Sequence, residues 1–131
     1  MAQYFLIIGG VLNALLVIFH LMFWKIFNWP DDLALLSPDN RAMMQVLNLN
    51  CSYGLALFAI VSIFFRHDLL ESRLGRFVTG AIAGFYVLRA AFQLVFFGRD
   101  TISIVMFVFL LVVALMYDIP LHLTKQAAAQ R

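Results

Sequence analysis

FVTGAIAGFYVLRAAFQLVFF, residues 77–97, decides how this chain folds. A helix rises about 1.5 Å per residue, so about 20 mostly apolar residues match a hydrocarbon core of about 30 Å. This run has that length, and Arg89 is its one charged residue. Lipid cannot satisfy free backbone groups, and a run so long and so uniformly apolar does not suit a barrel strand. A membrane-crossing α-helix is the expected form.

Working outward, three more runs have the same character: Tyr4 to Phe27, Arg41 to Phe65 (uncharged from Ala42 onward), and Thr101 to Leu123, with Asp118 and His122 in its last turns. The totals agree. Hydrophobic residues make up 64% of the 131 residues and charged ones 12%, about half the share of a soluble domain. A soluble fold of this size could not hide so much apolar surface. The expectation is an all-α integral membrane protein, a single membrane domain over residues 1–131 built as a four-transmembrane-helix bundle in up-down-up-down order.

The connections fit that division. Residues 28–40, NWPDDLALLSPDN, hold two prolines, three aspartates and the apolar patch Leu33 to Leu36, and read as an interfacial outer loop. Ser37 or Asp39 is placed to cap the second helix, with Pro38 in its first turn. Residues 66–76, RHDLLESRLGR, read as a charged cytoplasmic loop, and Gly98 to Asp100 as a tight turn that makes the last two spans antiparallel neighbours. From Lys125 onward the chain reads as a short frayed tail. Met1 to Trp24 contains no Lys or Arg and no A-x-A site, so it is expected to be a retained span rather than a signal peptide. Arg66, Arg73, Arg76, Lys125 and Arg131 fall on the side of the termini, against Lys25, Arg41 and Arg99 opposite. The excess of basic residues predicts N-in and C-in, with Trp24 and Trp29 at the outer interface. A bacterial inner membrane is the expected location.

Helical spacing gathers the polar residues of the spans onto single faces. Gly9, Asn13, Val17, His20 and Trp24 share one face; Arg41, Gln45, Asn48 and Ser52 share another; Tyr86, Arg89 and Gln93 share a third. Polar side chains in lipid turn inward, so the three faces are expected to meet. Counting rise per residue puts His20, Asn48, Arg89 and Gln93 roughly 7 to 14 Å below the outer ends of their helices, all in one leaflet. Burying Arg89 costs between about 3 and well over 10 kcal/mol, and no Asp or Glu lies in a span at its depth. Its guanidinium needs amide oxygens, a carbonyl, Asp100, a lipid phosphate or a bound anion. One reading has Arg89 snorkelling while the amides tie the bundle together. The other makes His20, Gln45, Asn48, Tyr86, Arg89 and Gln93 a ligand-binding pocket for an anionic headgroup or a quinone-like carbonyl.

Gly80-Ala81-Ile82-Ala83-Gly84 is a G-x-x-x-G, so Gly80 and Gly84 are expected to pack helices inside the bundle, with dimerisation as the alternative. His20 and His122 fall near opposite faces and cannot share one haem iron in a monomer. Asp118 and His122, at i and i+4, suit a pair or a proton relay, though a solvated helix end explains them at least as well. Cys51 is the lone cysteine, and no zinc, redox-thiol, nucleophile–base or phosphate-loop motif stands out. No catalytic residue and no metal ligand is assigned, and no basic cluster suggests nucleic acid. In size and span count the chain resembles small four-helix bacterial membrane proteins, DoxX-like proteins among them. That resemblance implies the four-span plan and carries no site residues.

These features point first to a non-catalytic accessory or assembly subunit of a membrane complex, alone or as a homo-oligomer. A membrane protein binding a small polar or anionic ligand in an outer-leaflet pocket is the alternative. An oligomeric channel or transporter comes last, because no span carries a polar stripe from end to end.

Overall fold

The computed structural model describes residues 1–129, which are 90% helical with no strand. In chain order the elements are α1 (Ala2–Leu21), α2 (Phe23–Ile26), α3 (Trp29–Asp32), a 3₁₀ turn (Leu33–Leu35), α4 (Pro38–Phe64), α5 (Arg66–Glu71), α6 (Arg73–Phe96) and α7 (Thr101–Ala129). Four of them, α1, α4, α6 and α7, are long and apolar enough to cross a membrane.

Local chemistry explains most of the boundaries. Ser37 caps α4, its hydroxyl accepting the Asn40 N–H at 3.4 Å, with Pro38 in the first turn. Gly98 has φ +81°, a left-handed conformation that glycine adopts without a Cβ clash. The Asp100 carboxylate then accepts the Ser103 N–H at 2.7 Å and starts α7.

Three boundaries differ from the expected ones. The first helix ends at Leu21 rather than running to Phe27. The Met22 N–H is shared between the Ile18 and Phe19 carbonyls, each 3.1 Å away, a three-centre bond of the kind that closes helix ends. Residues 66–76 are not a loop. Residues 66–71 form α5 and Arg73 already belongs to α6, with Ser72 as the break, its hydroxyl accepting the Gly75 N–H at 2.8 Å. Leu69 and Leu70 are buried there, and a Cβ on Gly75 would collide with the Asp68 carbonyl. The tail expected to fray from Lys125 continues α7 to Ala129; residues 130–131 lie outside the described residues.

The helices pack in the order α4–α1–α7–α6, each antiparallel to the next, while α4 and α6 share no extended backbone contact. Gly9 and Gly10 let the neighbours of α1 come close. A Cβ at Gly9 would stand 2.9 Å from the Tyr117 ring of α7, and one at Gly10 would stand 2.7 Å from Ile63 of α4. Across the seam between α4 and α6, Phe58 meets Phe85 edge-on at 5.4 Å. The molecule has a hairpin end, with residues 28–40 and 98–100, and an opposite end carrying α5 and the N-terminus.

Candidate functional site

Two polar clusters lie inside the bundle, and they behave differently. The first joins all four long helices. The Tyr86 hydroxyl donates to Asn13 Oδ1 at 2.5 Å, and Asn13 Nδ2 donates to the Gly9 carbonyl at 2.8 Å and to the Tyr117 hydroxyl at 2.7 Å. Tyr117 Oη lies 2.9 Å from Ser62 Oγ, and Ser62 donates to the Phe58 carbonyl at 2.6 Å. Ser62 has one proton and gives it to a carbonyl, so Tyr117 must be the donor between them. The Gly9 carbonyl accepts only, which fixes the orientation of the Asn13 amide. Asn13, Ser62, Tyr86 and Tyr117 are all buried, and every side-chain polar atom of this network is partnered. It ends on a backbone carbonyl and works as a tie between helices.

The second cluster lies toward the hairpin end. Asn48 Nδ2 donates to the His20 carbonyl at 3.0 Å, joining α4 to α1. His20 Nδ1 lies 2.8 Å from the Leu16 carbonyl, so in the neutral ring the proton is on Nδ1 and Nε2 offers its lone pair. The Cys51 sulfur is 3.7 Å from that Nε2. Phe23 stacks on the imidazole at 4.7 Å and Phe19 meets it edge-on at 5.8 Å, which holds the ring in place.

Arg89 of α6 faces this group across the seam, near enough for its charge to act on both His20 and Cys51. Its Cζ is 5.6 Å from the centroid of the Phe97 ring. Among the described residues it forms no ion pair, and its Nη1, enclosed by the protein, has no hydrogen-bond partner. The Oδ1 of Asn48 is the other enclosed side-chain atom without one. A cationic donor and a neutral acceptor thus stand uncompensated at the same end of the bundle. An unpaired buried polar atom is costly, and because Arg89 as a whole is half-buried that cost falls on the enclosed Nη1.

The remaining residues singled out from sequence sit elsewhere. Tyr86 belongs to the fully bonded chain. Gln93, though buried, points to α7 and donates to Ser103 Oγ at 3.4 Å. Gln45 folds back onto the Arg41 carbonyl at 3.2 Å, while Arg41 itself binds the Leu33 and Ala34 carbonyls. Asp100 is engaged by the Ser103 N–H. Gly80 and Gly84 face outward into a groove of 440 Å³ between α6 and α7, where a Cβ on Gly84 would meet nothing within 4 Å. Asp118 and His122 are 3.3 Å apart with both side chains more than half exposed, the signature of a solvated helix end.

Tyr117, Ser62 and Cys51 were missed as partners. A hydroxyl in an otherwise apolar span must find an acceptor, and that signal was present at Tyr117 and Ser62. Among the described residues no three His, Cys, Asp or Glu side chains gather to hold a metal ion. No protein-family model, curated protein or solved structure matches the chain.

Proposed function

We propose that this protein crosses a membrane four times with both termini on the cytoplasmic side, and that it holds an anionic amphiphile in an outer-leaflet crevice bounded by α1, α4 and α6. Large apolar side chains exposed along the long helices, among them Ile8, Leu15, Leu57, Val87 and Val108, support a lipid surround. The basic residues at the α5 end support the orientation. On this reading the protein binds rather than catalyses, and the bound group is a phosphate.

The observation that carries the reading is the enclosed, unpartnered Nη1 of Arg89. Snorkelling accounts for the rest of the side chain, which is half-buried, but it leaves the enclosed Nη1 without a partner. Tying the bundle together does not explain it either, because among the described residues Arg89 bonds to no other helix. A guanidinium kept at such a cost suits an anion arriving from outside the chain, and phosphate matches its fork of donors. The test is native mass spectrometry of protein released from nanodiscs that contain anionic lipid. Wild-type protein should carry one retained anionic lipid, and Arg89→Gln should fall to the neutral-lipid background. Equal retention by the two proteins would remove the site.

A second reading, an assembly subunit, is favoured by one observation. The groove beside Gly80 and Gly84 opens away from the bundle, where a helix of another subunit could lie close.

A further inference from the structure

We infer that the ligand brings a hydroxyl donor beside its phosphate, which makes it a polyol phosphodiester rather than a bare or zwitterionic one. This rests on the anion site proposed above and specifies what else that site reads.

The argument starts at Asn48. The residue is 6% exposed, and its Nδ2 is spent on the His20 carbonyl. That carbonyl only accepts, so the amide cannot be turned round, and the free atom is the oxygen. Oδ1 is therefore a buried acceptor that nothing among the described residues satisfies. His20, whose backbone carbonyl Asn48 holds, adds a second acceptor, because its Nδ1 is committed to Leu16 and its Nε2 has only the Cys51 thiol at 3.7 Å, a weak donor. The site thus offers one cationic donor and two neutral acceptors on separate helices.

A ligand with acceptors alone, such as a quinone or a simple phosphate ester, satisfies Arg89 and leaves the amide oxygen orphaned. An ammonium headgroup can reach the acceptors but meets no compensating carboxylate and stands close to the guanidinium. The acids of that end are engaged or exposed elsewhere: Asp31 bonds Asn28, Asp100 bonds the Ser103 N–H, and Asp32 and Asp39 face outward. A neutral hydroxyl next to a phosphate fits every group present. Phosphatidylglycerol carries that chemistry on a lipid, and free glycerol phosphate carries it without one.

The experiment uses the delipidated wild-type chain in phosphatidylcholine nanodiscs, titrated with phosphatidylglycerol, phosphatidylethanol or phosphatidylethanolamine and read by native mass spectrometry. Phosphatidylethanol has the same single charge and no hydroxyl. Phosphatidylglycerol should bind about tenfold more tightly than phosphatidylethanol, the difference expected for one buried acceptor left unmet. It should also bind more tightly than phosphatidylethanolamine. Equal binding of phosphatidylglycerol and phosphatidylethanol, both lost in Arg89→Gln, overturns the hydroxyl and leaves the anion site standing. Binding of all three lipids indifferent to Arg89→Gln overturns both. Once the hydroxyl preference is found, added glycerol 3-phosphate assigns its source: displacement of the bound lipid points to a free phosphate ester, and no displacement points to the lipid.

Discussion

Half-buried Arg89 carries a charge that no side chain among the described residues neutralises, and this separates it from the residues that hold the fold together. Replacing it with leucine removes an uncompensated charge and adds apolar volume. Arg89→Leu should therefore raise stability in neutral lipid, by about 1–3 kcal/mol, while it abolishes anion binding. A denaturation series in phosphatidylcholine micelles reads the change, and a marked loss of stability would make Arg89 structural. Asn13 is the opposite case. Asn13→Leu strips the Tyr86 and Tyr117 hydroxyls of a partner each and should cost about 1–3 kcal/mol in the same assay, without touching lipid retention. His20, Asn48 and Arg89 were legible in sequence because each is conspicuous in an apolar run and helical spacing fixes its face. The division of labour was not legible. Tyr86, Arg89 and Gln93 lie on one face of α6, yet they reach α1, the seam and α7 respectively, and only the packing of the other helices decides which.

At the scale of elements, glycines of similar sequence context do unlike work. Gly10 lets α1 approach α4, with Ile63, Ser62 and the Ala59 carbonyl all within 3.2 Å of any added Cβ. Gly10→Ala should force the pair apart and cost about 1–3 kcal/mol. Gly84→Ala fills open space and removes a flexible helix residue, so it should leave stability unchanged or raise it by about 0.5–1 kcal/mol. Gly84→Leu then tests the assembly reading. A drop in mass in mild detergent, with the fold intact by circular dichroism, supports assembly through the groove, and an unchanged mass excludes it. The four long helices were readable from hydropathy and length alone. Helix α5 was not, because charged residues dominate its sequence and its folding against α6 depends on the Ser72 cap and the bare backbone at Gly75, contacts with no periodic signature.

For the whole molecule, the packing order α4–α1–α7–α6 leaves α4 and α6 without extended backbone contact, and the two unsatisfied atoms lie on these helices. Gly9 and Gly10 bring α1 close to α7 and α4, whereas aromatic side chains, Phe58 and Phe85, meet between α4 and α6. On the proposed four-span reading, orientation decides which leaflet the seam serves. In a Cys51→Ser background, Asp32→Cys should react with an impermeant thiol reagent added to intact cells, and Glu71→Cys should react only after lysis. The reverse pattern would move the crevice to the inner leaflet. The most direct measurement of all is a density map of the wild-type protein in phosphatidylglycerol nanodiscs, inspected where α1, α4 and α6 converge. A phosphate peak within hydrogen-bonding distance of Arg89 Nη1, with headgroup density reaching Asn48 Oδ1, is the expected result. Arg89 bonded to a protein carbonyl, or extended into the aqueous layer with no lipid density beside Asn48, would contradict it.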